Sequence, residues 1–170
     1  MPKEALARGV LNLCLAAISA QSQQQPQTWH LVDHTNRTGT ETTRLLTTTS
    51  TDTYTSTIGP PKQAVLQIKC SAPLTGSATI AIDSDSSFAV KTDATATLTI
   101  RLDDDSPIHA AWANLSLHQI LIYNLRDLLP SHQRMSIDLP IGINSPQTLT
   151  FDLSHLASAM RDANCRRRLQ

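Results

Sequence analysis

Residues 64–70 read AVLQIKC, and their pattern is that of a β-strand with one buried face. Every second position from Ala64 to Cys70 is apolar, and the positions between them include the polar Gln67 and Lys69. Such an alternation with a period of two places successive side chains on opposite faces of a strand. We therefore predict that the side chain of Cys70 points into the core of the protein.

The same alternation recurs along the chain, most cleanly in residues 95–103 (TATLTIRLD), where Leu98, Ile100 and Leu102 would face inward. Turn-forming residues, such as the Asp and Ser run at residues 83–87, separate these stretches. Further strands are predicted at residues 29–33, 51–58, 77–83, 88–91, 119–123, 135–139 and 148–153. Many short strands with few helices favour a mainly β fold, either a small β-sandwich or a partly open barrel.

Two helices complete the predicted fold, a short internal helix and a C-terminal helix. Residues 124–130 (NLRDLLP) carry leucines on one face and begin with Asn124, a residue that favours the N-cap position. Ser154 is a favourable N-cap for the C-terminal helix. In that helix Leu156, Met160 and Ala163 recur at helical spacing, and Cys165 follows near its end.

The length of 170 residues suits one domain with a substantial core. We divide the chain into a signal peptide (1–20), a polar and Thr-rich N-terminal segment with one or two edge strands (21–63), a β-sandwich core (64–165) and a basic tail (166–170). Residues 38–57 contain 11 threonines. This composition fits a solvent-facing strand, and it also fits an O-glycosylated or disordered stalk.

The first 20 residues have the layout of a secretory signal peptide. Lys3 and Arg8 precede a mostly apolar run of 12 residues, GVLNLCLAAISA at positions 9–20. This run is shorter than the roughly 20 residues that cross a bilayer. We therefore predict cleavage after Ser19 or Ala20, a periplasmic or secreted protein, and no stable membrane span after cleavage. The alternative is an amphipathic N-terminal helix in a cytosolic protein.

Cleavage would remove Cys14 and leave two cysteines, Cys70 and Cys165. An even number of cysteines in an exported chain indicates a disulfide bond. A bond between them would close a long loop and stabilise the fold by about 4–5 kcal/mol in the chain-entropy model. The alternative is a pair of unrelated buried thiols.

The sequence contains no recognisable set of catalytic or ligand-binding residues. The histidines are scattered over positions 30, 34, 109, 118, 132 and 155. His30 and His34 share a predicted strand face but have no Cys, Asp or Glu at the spacing of a zinc site. Residues 83–85 (DSD) begin like a calcium loop that lacks the required Gly and Glu, and residues 103–105 (DDD) fit a solvated turn better than a weak cation site.

Several functions are disfavoured by composition. Glu4 and Glu41 are the only glutamates, which argues against a glycosidase pair of glutamates. No nucleophile elbow, phosphate loop or dinucleotide fingerprint is present. Lys+Arg and Asp+Glu both total 14, and this balance argues against a nucleic-acid partner. We predict a protein that is not an enzyme and that has no catalytic residues, cofactor or metal.

The order of motifs between residues 64 and 165 is distinctive. One strand ends at Cys70 (LQIKC), another ends in IRLDDDSP, and Trp112 follows in WANLS. The segments ILIYNLRDLL and FDLSHL come next, and ASAMRDANC ends at Cys165. Together these motifs span about 60% of the chain and resemble the TagO/VasI family of type VI secretion-associated proteins. The Thr-rich segment, in place of a more acidic stretch, and the Arg tail depart from that family's pattern.

The resemblance implies a small exported β-sandwich protein with an accessory role in the cell envelope and no established active site. It transfers only Cys70 and Cys165, as a structural pair. We expect a binding protein whose partners are other envelope or secretion-apparatus proteins, contacted through sheet edges or exposed loops. The alternatives are a structural or surface protein encoded by a phage or prophage, and an enzyme that acts on cell-wall polymers.

Overall fold

A computed structural model describes residues 28–35, 38–40, 42–70, 76–89, 96–142 and 146–165. The signal peptide predicted at residues 1–20 and the basic tail at residues 166–170 lie outside the described residues. In chain order the elements are β1 (His30–Thr35), β2 (Thr42–Thr49), β3 (Val65–Lys69), β4 (Ala78–Ala81), β5 (Thr97–Leu102), β6 (Ile108–Ser116), β7 (Gln119–Ile122), the 3-10 turn η1 (Leu129–Ser131), β8 (Arg134–Leu139), β9 (Gln147–Asp152) and α1 (Leu156–Asp162).

The strands form one antiparallel sheet in the order β1-β2-β3-β4-β7-β6-β5-β8-β9. The sheet curls into a half-barrel, and the C-terminal helix packs against it. The mainly β prediction is therefore confirmed, and the partly open barrel is the better of its two descriptions. The Thr-rich segment supplies β1 and β2, which continue directly into the rest of the sheet.

The concave face of the sheet holds the core because alternate positions along the strands are apolar. In β3 and the residues that flank it, Leu66, Ile68 and Cys70 are buried, as their spacing predicts. Leu98, Ile100 and Leu102 of β5 are buried in the same way. We call this concave face the inner face and the opposite one the outer face.

Loops and helical turns cover both ends of the half-barrel. The segments after β7 and β9 bring Leu129, Leu156 and Met160 into the core at the end where Cys70 lies. At the other end, the fully buried Tyr54 and Phe88 come from loops. Burial of these large side chains stabilises an open sheet that would otherwise expose its core to water.

The predicted disulfide bond between Cys70 and Cys165 is present. Cys70 follows β3, the third strand of the sheet, whereas Cys165 follows α1, which comes after the edge strand β9. The bond therefore links one side of the sheet to the other across the opening of the half-barrel. Both cysteines are buried, and Ala163 and Met160 beside them pack into the core as their helical spacing predicts.

The strand predicted at residues 51–58 is wrong. The Thr-rich strand is β2, nine residues earlier in the chain, and it lies between β1 and β3 rather than at an edge. Residues 51–58 form a loop in which Tyr54 makes a single bridge to Lys62. Threonine favours a strand at every position of this run, so strand propensity does not determine where the strand lies. The burial of Leu46 and Tyr54 in the folded core determines the position of the strand.

The predictions at two helix starts are also corrected. Residues 124–130 do not form a helix that begins at Asn124, whose φ of 59° is left-handed, and only the 3-10 turn η1 follows. An N-cap residue has extended backbone angles, which Asn124 does not adopt. The residue before α1 is His155, with a φ of 65° and no side-chain cap, rather than Ser154.

The structure differs from the sequence-based prediction at two further strands. Strand β6 was not predicted, although Trp112 at its centre is buried, as expected of a core aromatic residue. The strand expected at residues 88–91 is reduced to one bridge between Phe88 and Ile141, and residues 90 and 91 lie outside the described residues.

Loss of the disulfide should lower the free energy of unfolding by about 4 kcal/mol, because 95 positions separate the two cysteines and the cross-link restricts the unfolded chain. Urea denaturation of the oxidised Cys14→Ser protein and of a Cys14→Ser/Cys70→Ala/Cys165→Ala variant would measure the difference. Reductant should destabilise the first protein and leave the second unchanged. A difference below about 1 kcal/mol would contradict a stabilising cross-link.

Candidate functional site

The histidines are not gathered into one site. His30 and His34 project from the same face of β1, as predicted, and both are exposed. His118 and His132 instead hydrogen-bond to neighbouring loops, through Nδ1 in each case. Within the described ranges, no three His, Cys, Asp or Glu side chains are arranged so as to hold a metal ion.

The acidic turn at residues 103–105 is held by hydrogen bonds within the protein. Asp103 Oδ1 accepts the backbone N–H groups of Gln133 and Arg134, both at 2.9 Å, and Oδ2 lies 3.0 Å from His132 Nδ1. Burial raises the pKa of Asp103, but these three hydrogen bonds together outweigh it and lower the pKa below its usual value. The carboxylate thus fastens the turn after β5 to the start of β8.

The turn at residues 83–85, which resembles the start of a calcium loop, binds an ammonium group of the same chain. Lys62 Nζ lies 3.2 Å from Asp83 Oδ2 and 2.5 Å from Asp85 Oδ2. Tyr54 Oη accepts the backbone N–H of Asp83 at 2.9 Å. These contacts hold the loop between β2 and β3 against the turn after β4.

The charges in this cluster shift one another's titration. The Lys62 ammonium group, by hydrogen bonding, lowers the pKa of Asp83 and of Asp85 below the usual carboxyl range. The hydrogen bond to Asp85 raises the pKa of Lys62. The cluster is a structural latch between two loops, because each charge is satisfied by its neighbours.

A polar groove of about 430 Å³ crosses the outer face of β5, β8 and β9. It is lined by two arginines, three aspartates and the hydroxyl groups of Ser136, Thr148 and Thr150. Arg134 Nη2 donates to Asp104 Oδ1 at 2.9 Å. Because both signs of charge line the groove, it favours neither anions nor cations.

One edge of the sheet, β9, is covered by the loop that follows β2. Thr51 donates its N–H to the carbonyl oxygen of Thr150 at 2.8 Å. Asp52 Oδ1 accepts the N–H of Thr150 at 2.8 Å. The Gln147 side chain accepts the N–H of Thr55 at 2.7 Å and donates to its carbonyl oxygen at 3.3 Å. The exposed backbone row of an edge strand is thus partly satisfied by the chain itself.

Hydrogen bonds between β2 and β3 determine which groups of β1 face away from the sheet. Ser50 donates its N–H to the carbonyl oxygen of Ala64, and Cys70 donates its N–H to that of Arg44, both at 2.8 Å. Even-numbered residues of β2 therefore bond toward β3. In an antiparallel ladder, alternate residues bond to opposite neighbours, so the odd-numbered residues of β2 bond to β1.

The register of β1 on β2 then directs the backbone groups of Leu31, Asp33 and Thr35 away from the sheet. No residue in the described part of the chain hydrogen-bonds to these groups. All six side chains of β1 are exposed, whereas each of the other strands contains at least one buried residue. We call β1 with these outward-facing groups the open edge.

The inner face of the open edge carries both apolar and charged side chains. Leu31 lies beside Leu46 of β2 and is 49% exposed. Asp33 lies beside Arg44, whose Nε is 3.3 Å from Asp33 Oδ1. Beneath this pair is a pocket of about 280 Å³, lined by Asp33, Thr42, Arg44, Cys70, Ala163 and Asn164.

The predicted disulfide therefore contributes to the candidate site through Cys70, which lines this pocket. Sequence reasoning assigned no binding role to residues 29–35, because the alternation in that stretch is the same for a covered strand and for an open one. The pairing of the cysteines was the only available sign that the end of α1 lies near β1 and β2.

None of the helices in the described ranges has the length and apolar character needed to cross a membrane. Searches against protein-family models, curated proteins and solved structures gave no match to this chain.

The latch formed by Lys62, Asp83 and Asp85 should make stability depend on pH in a defined way. A lowered carboxyl pKa contributes stability above the unfolded value of about 4, and this is lost as pH falls through the folded value. The raised pKa of Lys62 contributes stability below about 10.4, which is lost as pH rises through the folded value. The latch should therefore hold between about pH 4 and pH 10.4.

Thermal unfolding from pH 2 to pH 7 would test this window. The Lys62→Met variant should melt below the wild type at pH 6, and the difference should vanish near pH 2. Lys69→Met, at a strand position without a carboxylate partner among the described residues, is the matched control. An unchanged melting temperature for Lys62→Met at pH 6 would disprove the role of the latch.

Proposed function

We propose that the protein is an exported, non-enzymatic binding protein of the cell envelope that accepts an extended segment of a partner as an added strand on β1. The observation that carries the proposal is the open edge, with outward-facing backbone groups at Leu31, Asp33 and Thr35. Pairing of an extended peptide with such an edge is a common mode of recognition.

The contrast between the two edges supports this role. Unpaired edge strands invite uncontrolled association, and proteins usually protect them. Here β9 is covered by the residues that follow β2, whereas β1 is left open by the described residues. Leu31 and Val32 expose apolar surface on opposite faces of β1, so an added strand would bury contacts on both sides.

The expected location and partners rest on different observations. A buried disulfide favours an oxidising compartment, which agrees with the signal-peptide layout of residues 1–20. The resemblance to the TagO/VasI family supports the proposal that the partners are envelope or type VI secretion-apparatus proteins. The motifs that carry the resemblance include both members of the disulfide pair.

Export predicts that the full chain, expressed in a bacterium with a periplasm, is recovered from that compartment with its N-terminus near residues 19–21. N-terminal sequencing and non-reducing mass analysis would check the start and the absence of free thiols. Leu13→Asp, which breaks the apolar run, should keep Met1 and stay in the cytosol. Periplasmic wild-type protein that retains Met1 would refute signal cleavage.

The open edge predicts that Asp33→Pro abolishes strand addition without unfolding the protein. Proline removes the outward-facing N–H of residue 33, and an edge strand tolerates this loss because that group makes no bond to β2. Asp33→Ala is the matched control, since it removes the same carboxylate but keeps the N–H. Its ion pair with Arg44 is half exposed and contributes little to stability.

Quantitative capture from envelope extracts would compare the wild type with these two variants. A partner of β1 should be retained by the wild type, retained in smaller amount by Asp33→Ala and lost by Asp33→Pro, while circular dichroism shows both variants folded. Equal capture by a folded Asp33→Pro protein would rule out strand addition at this edge.

A further inference from the structure

We infer that the open edge selects partner segments in which a basic residue and an apolar residue stand two positions apart, the basic one opposite Asp33 and the apolar one opposite Leu31. This inference rests on the proposed strand addition to β1. The occupant of the open edge would be an extended segment of another protein.

The geometry of an antiparallel ladder fixes which side chains meet. Residues directly opposite one another have Cβ atoms about 4.5–5.5 Å apart and lie on the same face. An added strand would therefore place alternate side chains beside Leu31, Asp33 and Thr35 on the inner face. The residues between them would lie beside Val32 and His34 on the outer face.

The position opposite Leu31 favours an apolar side chain. On one side Leu31 lies next to its ladder neighbour Leu46, which is buried. Leu31 itself is 49% exposed, at the open edge of the sheet. An apolar residue in the added strand would cover that exposed side and remove its surface from water. A charged residue there would lose hydration without gaining a partner.

The position opposite Asp33 favours a cation. The side chain of Asp33 is 54% exposed, and Arg44 Nε binds only Oδ1, at 3.3 Å. No described residue hydrogen-bonds to Oδ2, and a carboxylate accepts several donors. Arg44 lies one strand further from the edge than Asp33, so the added strand meets the acidic group first. An acidic residue there would face Asp33 directly, which is unfavourable.

The pocket beside Asp33 has room for a long basic side chain. Its volume is about 280 Å³, and Thr42, Asn164 and the disulfide residue Cys70 line it together with the ion pair. The aliphatic part of a lysine or arginine side chain could lie in this pocket while its charged group reaches Oδ2 of Asp33. A short polar residue would leave the pocket empty.

A second copy of this chain is a poorer occupant than a different protein. Two-fold pairing centred on Asp33 would place two aspartates opposite each other, and pairing centred on Val32 would place Leu31 opposite Asp33. Neither register satisfies both positions. The basic-x-apolar pattern, read in the direction antiparallel to β1, satisfies both at once.

Fluorescence anisotropy with labelled ten-residue peptides would test the inference. The peptides share a threonine-valine background and differ only at two positions, which carry Lys-x-Leu, Glu-x-Leu or Lys-x-Ser. The wild type should bind Lys-x-Leu about five- to tenfold more tightly than either of the others. Asp33→Ala should lose the preference for Lys over Glu, and Asp33→Lys should reverse it. Asp33→Pro should bind none of them.

The outcomes distinguish a failure of strand addition from a failure of the sequence preference. If no peptide binds the wild type, the proposed strand addition fails and the inference fails with it. If all three peptides bind equally and Asp33→Pro abolishes binding, strand addition stands and the sequence preference is overturned. A preference for Glu-x-Leu would also overturn it.

Two controls address other occupants of the edge. A chain that ends at Cys165 should bind Lys-x-Leu with unchanged affinity, and about a tenfold gain would show that this chain's own residues occupy the edge instead. Sedimentation should show the same mass for the wild type and Asp33→Pro. A dimer that Asp33→Pro dissociates would identify a second copy as the occupant and overturn the inference.

Discussion

The bond between Cys70 and Cys165 is the interaction on which the shape of this half-barrel depends. It fastens the chain after β9 to the chain after β3 and so spans the opening of the curled sheet. Helix α1 has seven residues, too few to be stable in isolation. Its buried residues Leu156 and Met160 reach the core because the sheet precedes the helix and the disulfide follows it. The same bond brings Ala163 and Asn164 to the pocket beside β1.

Backbone N–H and C=O groups must find partners or face water, and the two edges of the sheet meet this requirement in different ways. At β9 the partners are mixed: the backbone N–H of Thr51, the carboxylate of Asp52, and the backbone of Thr55, which pairs with the side chain of Gln147 in β9. These groups take the place of a neighbouring strand without adopting its geometry. At β1 the described residues supply no such substitute. The sheet therefore has one edge whose backbone groups can pair with another strand.

Sequence patterns predicted those parts of the fold in which local alternation agrees with burial. Strands β3 and β5, the inward Cys70 and the apolar stripe of α1 follow from spacing alone. Strand β2 did not, because its threonines offer no apolar alternation and only Leu46 marks the inner face. Strand β6 carries alanines on both sides of Trp112, which hides its period of two.

The candidate site was harder to predict, since it depends on which neighbours a strand lacks. The contacts that cover β9 join residues more than 90 positions apart, such as Asp52 with Thr150 and Thr55 with Gln147. No local pattern reports them. Pairing with an edge strand of six residues also buries little area. Such a complex would be weak and unselective unless side-chain contacts add to it. A charged residue at the centre of an open edge serves both needs: Asp33 discourages unselective pairing, and it gives the right partner a favourable contact.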